Sequence, residues 1–241
     1  MVIRIVIGVS AVGVLALVLW FTLSCQLTVR RLARSMRQQR ALAFERESRH
    51  RPVRPEDRLP DSEQAALDAV WRELEGHSAR ALGQVVELKS DGTSAGIAHW
   101  FAADPSTAYG WIGMVGQVPL RRPVMVLFSH ANDGQFAVTR WGIDSVGALA
   151  SGPSIHRLML SSKTPIGEVL RQHNELATRV SPGSLRQVSE LDGALAGRLE
   201  LTDTRLAWRA QQPEQALLEA DVRGILLVSR FVIDVNAARP S

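Results

Sequence analysis

Cysteine is nearly missing from this chain. Cys25 is the one thiol in 241 residues, so no intrachain disulfide can form and nothing demands an oxidising compartment. Clustered histidine is missing too. His50, His77, His99, His130, His156 and His173 stand singly, none three or four residues from another, and neither H-E-x-x-H nor C-x-x-C occurs. A zinc site would have to gather ligands from at least three distant places. No G-x-S-x-G elbow is present, and Ser129-His130 with Asp133 close by is not a triad, since neighbouring strand residues point to opposite faces. Gly110, Gly113 and Gly116 surround Trp111 without the lysine of a phosphate loop, which leaves close backbone approach in a strand as their reading. Asn132-Asp133-Gly134 lacks the further oxygen ligands of a calcium loop. No acid/base pair stands out among evenly spread carboxylates. These absences leave no catalytic residue, no cofactor site and no metal ligand to nominate. Lysine is scarce as well, 2 against 26 arginines, a composition bias that discourages reading meaning into single arginines.

Charge is absent from residues 5–29, and Arg30, Arg31, Arg34, Arg37 and Arg40 follow at once. A membrane span needs about 20 apolar residues, and the pattern predicts one transmembrane helix over 5–25 behind a short tail, 1–4. The run is too long for the core of a cleaved signal peptide, and the leucine before Cys25 is misplaced for a lipidation site. The flanking arginines place the C-terminal side in the cytoplasm. Trp20, Arg30, Arg31, Arg34 and Arg37 become the membrane-interface residues, and the expected partners are the lipid bilayer, its anionic lipid headgroups and a protein of unknown identity. Residues 26–60 read as a basic juxtamembrane helix, on which anionic lipid headgroups could act, followed by a proline-containing linker.

The overall net charge of +4 conceals a split. Residues 25–58 carry ten arginines against four acids, whereas 59–241 hold 17 basic and 20 acidic groups. The basic patch that a nucleic-acid partner requires is therefore not on the folded part, and nucleic acid is excluded as an expected partner.

Residues 61–241 have the length of one domain with a real core. Asp61 with Gln64 has the spacing of a capping box, and Leu67, Val70, Trp71 and Leu74 then repeat on one helical face up to Gly76. Strands are expected at Gln84–Lys89, Gly96–Ala102, Ala108–Val115, Val124–Ser129, Gln135–Arg140 and Ile155–Ser161, parted by Ser90-Asp91-Gly92, Asp104-Pro105-Ser106 and Asn132-Asp133-Gly134. The Asp-Gly turn suits a hairpin. The wholly apolar Val124–Phe128 suits a central strand with both faces covered. Thr164-Pro165 starts a helix facing inward with Ile166, Val169, Leu170 and Leu176. A second helix opens at Ser184; Leu199, Leu201, Leu206 and Trp208 fit either its continuation or two short strands. Ile225–Val235 is apolar but, at 11 residues, too short for another span.

The fold class expected is thus α+β: a single N-terminal transmembrane helix and one soluble domain with an antiparallel sheet of about five or six strands and flanking helices. The function expected is a membrane-anchored, non-catalytic interaction or scaffold domain. The alternative is an enzyme or small-ligand binder whose site uses Trp100, Tyr109, Trp111 and Trp141 with His99 or His130.

Overall fold

A computed structural model describes residues 20, 23, 24, 27, 28, 31, 50–88, 94–103, 107–115, 121–142, 152–182, 184–214, 216, 217 and 221. The chain divides into two compact units. One comprises Ala41–Asp144 with Ser151–Gln212, the other Met1–Arg40 with Ser145–Ala150 and Pro213–Ser241.

The larger unit is built on one sheet of seven strands. These are β1 (His50–Pro52), β2 (Arg80–Leu88), β3 (Ser94–Ala103), β4 (Ala108–Val115), β5 (Arg122–His130), β6 (Phe136–Trp141) and β7 (Ile155–Leu160). Their order in the sheet is their order in the chain. Pairing is antiparallel from β1 to β6, whereas β6 and β7 run parallel, with Phe136 opposite Ile155 and Trp141 opposite Leu160. Among the described residues three helices flank it: α1 (Asp61–Gly76), α2 (Ile166–Val180) and α3 (Leu191–Ala210).

Alternation along the strands sorts the core into two layers. On one face Phe101, Ile112, Met125, Leu127 and Trp141 meet Val70 and Leu74 of α1 and Ile166 and Val169 of α2. On the other, Trp100, Tyr109, Val126, Phe128 and Val138 meet Val188 and Ala194, with Leu191 and Leu195 of α3 alongside. Every residue from Val124 to His130 is buried, so β5 is covered on both faces as its apolar run requires. Each fully buried Leu, Val or Phe contributes roughly 1.5–3 kcal/mol relative to exposure, which is why this strand sits at the centre of both layers.

Two expectations of the fold class are corrected. The sheet has seven strands and is mixed, not five or six and antiparallel. The extra strand is β1, inside the presumed linker; its proline is tolerated because β1 is an edge, where a missing N–H costs no ladder bond. The β6–β7 pair can run parallel because residues 142–154 separate the two strands, a length that allows a crossover where a tight turn would force a hairpin. Second, among the described residues no helix is long and apolar enough to cross a membrane. The expected transmembrane helix, the single-pass membrane anchor and the cytoplasmic placement deduced from it fall together. An uncharged run states that its residues avoid water, not which apolar phase covers them. Of 5–25, only Trp20, Leu23 and Ser24 are among the described residues. The turns at Ser90-Asp91-Gly92 and Asp104-Pro105-Ser106, and the stretch Ile225–Val235, also lie outside them.

Helix ends differ from their sequence signals. Pro60, not Asp61, is the N-cap of α1, and no side chain caps it. The helix ends at Gly76 as expected, but the left-handed residue of its cap is Ser78: it takes φ +61°, its N–H reaches the Glu75 carbonyl at 3.0 Å and the Ala79 N–H reaches the Leu74 carbonyl at 3.1 Å. That double bond pattern is a Schellman motif with serine in the position glycine usually holds. At α2 the N-cap is Pro165, and the first helical N–H, of Ile166, donates to Glu73 Oε1 of α1 at 2.9 Å. One helix thus caps the next. The run from Ser184 begins extended, with Leu185 bridged to Ala131, and α3 then continues unbroken through Leu199 and Trp208.

Candidate functional site

The expected interface residues divide. Trp20 and Arg31 are described, both helical and exposed, while Arg30, Arg34 and Arg37 lie outside the described residues. No spanning helix among the described residues supports the membrane-interface role expected of them. What remains at this place is an apolar stripe. Trp20, Leu23 and Leu27 are helical, their spacing puts them on one face, and they are 68%, 58% and 55% exposed. Thr28 alongside ties its hydroxyl back to the Ser24 carbonyl at 2.8 Å.

In the sheet unit the four aromatics proposed for a pocket do not converge. Trp100, Tyr109 and Trp111 belong to the α3 layer, whereas Trp141 lies in the opposite layer and donates Nε1–H to the Thr164 carbonyl at 2.8 Å. Arg198 of α3 lies 5.8 Å from the Trp100 ring and 5.9 Å from Trp111, and pairs with Glu87. The guanidinium thereby fills the space between them. His99 is half-buried beside Gln84, 3.2 Å from its amide, away from Tyr109 and Trp111. Among the described residues no group of His, Cys, Asp and Glu could hold a metal.

Ser129 and His130 point to opposite faces, and each enters its own polar cluster. Ser129 meets a partner that its sequence neighbourhood does not suggest, His173 of α2. Its hydroxyl donates to the Thr107 carbonyl at 2.8 Å, so at 3.0 Å it must accept from His173 Nε2–H. That fixes the tautomer, and Nδ1 accepts from the Thr139 hydroxyl at 2.8 Å. Every group is satisfied, and the proton order is the reverse of a nucleophile's: the serine proton goes to a carbonyl, not to the imidazole. Burial pushes His173 down to about 4, opposed by the Phe128 carbonyl. The trio is a core network, not an exposed dyad. Its signal in the sequence was position: His173 lies seven residues after Ile166, on the inward stripe of α2.

The second cluster lies beneath α3. His130 is stacked on Phe136 with centroids 4.0 Å apart, and its Nε2 is 3.3 Å from Glu200 Oε1. The contact is within ion-pair range but off the hydrogen-bonding direction, and Nε2 has no hydrogen-bond partner. The other Glu200 oxygen accepts from Arg186 Nη1 at 2.9 Å. Arg186 is anchored by its own N–H, which donates to the His130 carbonyl at 2.8 Å. Tyr109 rises from β4 to the same helix. A Cβ on Gly197 would lie 2.1 Å from the tyrosine oxygen, so only glycine lets this hydroxyl reach α3, one turn before Glu200. The hydroxyl is buried and also lacks a hydrogen-bond partner. Burial, then the Glu200 charge, pushes Tyr109 up, with Arg186 opposing. Burial pushes His130 down, with Glu200 opposing it and Arg186 adding to it. Tyr109 and His130 were nominated from sequence, whereas Glu200 and Arg186 were not, because nothing local marks two half-buried charged residues as neighbours of a buried pair.

No protein-family model, curated protein or solved structure matches this chain, so its function rests on these arrangements alone.

Proposed function

We propose that the chain is a non-catalytic interaction protein that engages a protein partner through the helical stripe of Trp20, Leu23 and Leu27. The observation that carries this reading is the exposure of three large apolar side chains, each more than half accessible, on successive turns of one helical face. Single exposed leucines are ordinary, but an aligned aromatic-and-leucine set is the pattern by which an amphipathic helix fits a hydrophobic groove. Such a set holds most of its binding energy in a few anchors, and tryptophan is the commonest of them. The dense, internally satisfied polar network at Ser129 and His173 is consistent with a sheet unit that serves as a rigid carrier.

The test compares the tagged full chain with its Leu23→Glu/Leu27→Glu variant, checking first that thermal unfolding of the sheet unit is unchanged. A stoichiometric protein partner retained by the parent chain and lost by the variant supports the reading. Equal recovery by both chains refutes it, and so does binding of the parent chain to protein-free vesicles with no protein partner.

A further inference from the structure

We infer that Tyr109, His130 and Arg186 form a recognition site for the carboxylate of a small organic acid, with Glu200 as its resident intramolecular occupant. The three groups are the donor set that an anion of this shape needs: a guanidinium, an imidazole N–H and a phenol. Arg186 and His130 are held in fixed relation by the 2.8 Å backbone bond between them and by the adjoining Ala131–Leu185 bridge. Tyr109 is fixed by its burial and by its seat at Gly197.

Glu200 occupies the site imperfectly. It gives Arg186 a good hydrogen bond, but reaches His130 Nε2 at 3.3 Å in a misaligned direction and leaves the Tyr109 hydroxyl without a partner. Two buried donors, His130 at 3.3 Å and Tyr109 within reach of its charge, therefore share a carboxylate whose position is dictated by α3. A carboxylate free of that tether can align with all three. The exchange is mechanically easy, because the Glu200 side chain is 45% exposed and Arg186 is 41% exposed. Glu200 can swing into solvent while Ala194 and Gly197 keep α3 seated on the sheet. The groups facing His130 are Glu200 from α3, Arg186 from the segment before it and Asp133 from the hairpin tip. Asp133 repels a highly charged ligand, which favours a monocarboxylate over a phosphate.

Acetate is the probe, titrated against chloride at constant ionic strength because the exposed pair is screened by salt. The full-length Glu200→Ala chain is expected to bind acetate saturably, roughly in the millimolar range, with a matching rise in thermal stability and a shift of the His130 ring resonance. The parent chain is expected to bind at least about tenfold more weakly, since the tethered carboxylate competes. Removing Arg186 as well, in Glu200→Ala/Arg186→Ala, should abolish the response. Glu200→Gln, which keeps the side-chain volume, provides the same comparison if the alanine variant folds poorly. A folded Glu200 variant with no saturable acetate response overturns the inference, as does a response equally large with chloride or unchanged by loss of Arg186.

Discussion

Replacing His173 by glutamine isolates the contribution of one buried imidazole to acid stability. In the folded chain His173 has no exposed surface and its proton affinity is pushed from 6.5 to about 4 by burial. The unfolded chain begins to take up that proton below about pH 6.5, while the folded chain refuses it until about pH 4. Stability from this group is therefore whole above the unfolded value, declines as the pH falls, and is fully lost below the folded value. The drop corresponds to about 3 kcal/mol in all, of which about 2–3 kcal/mol is spent by about pH 4.5. His130 and His99 are pushed down as well, so the variant removes a share of the slope and not the whole of it. Asp57 and Glu168 are held down to about 2, by Arg51 and by Arg171 respectively; their losses set in only at the acid end of the window and are common to both chains, so they cancel in the comparison. Urea unfolding followed by tryptophan fluorescence, from about pH 8 to about pH 4.5, measures the slope directly. His173→Gln should be less stable than the parent at about pH 8, by about 1–3 kcal/mol for the disturbed Ser129 and Thr139 bonds, yet lose about 2–3 kcal/mol less on acidification. Parallel curves, agreeing within about 0.5 kcal/mol across the range, would refute the assignment of a buried neutral imidazole.

Ser78→Gly should raise stability by about 0.5–1 kcal/mol in the same denaturation assay, because glycine adopts the +61° φ of the α1 cap without the cost an L side chain bears. Glu73→Ala removes the acceptor of the Ile166 N–H and should cost about 1–2 kcal/mol, with Glu73→Gln restoring most of it. Gly110→Ala would set a methyl 2.2 Å from the Val126 carbonyl oxygen across the β4–β5 pair, and should cost more than about 3 kcal/mol, seen as loss of the cooperative unfolding transition.

Legibility in the sequence followed the strength of local constraint. Ala108–Val115 matches its strand to the residue, and Asn132-Asp133-Gly134 makes the expected hairpin turn, with Gly134 at φ +83° and Asp133 Oδ1 accepting from the Gln135 N–H. Those signals are short-range: alternation, a turn residue, a glycine. The corrections arose where the deciding partner is far along the chain. His50–Pro52 carries no strand pattern and becomes one because β2 offers an edge. Leu199–Trp208 satisfies strand and helix periods alike, and the Tyr109 contact at Gly197 with the Arg198–Glu87 pair holds it as a helix against the sheet. The candidate site was legible in the same uneven way. Tyr109 and His130 stood out as an aromatic and a histidine in β strands, yet Glu200 was one carboxylate among many until the fold set it above them. His173 could have been found as the one titratable residue on an apolar stripe. Apolarity of residues 5–25 was read as a statement about lipid, a conclusion that local composition alone does not supply.

Sheet order that repeats chain order has a kinetic consequence. Each antiparallel pair from β2 to β6 closes only a short loop, so little chain entropy opposes any one step and the meander can grow outward from whichever hairpin forms first. The slow contacts are those that close the largest loops: Glu73 to Ile166 across 93 residues, Arg80 to Ser189 across 109, and Arg198 to Glu87 across 111. All three seat α2, α3 or the segment leading into α3. The sheet is thus expected to zip locally and early, and the helices that cover it to arrive late, so that the cluster under α3 is assembled by the final docking event of folding.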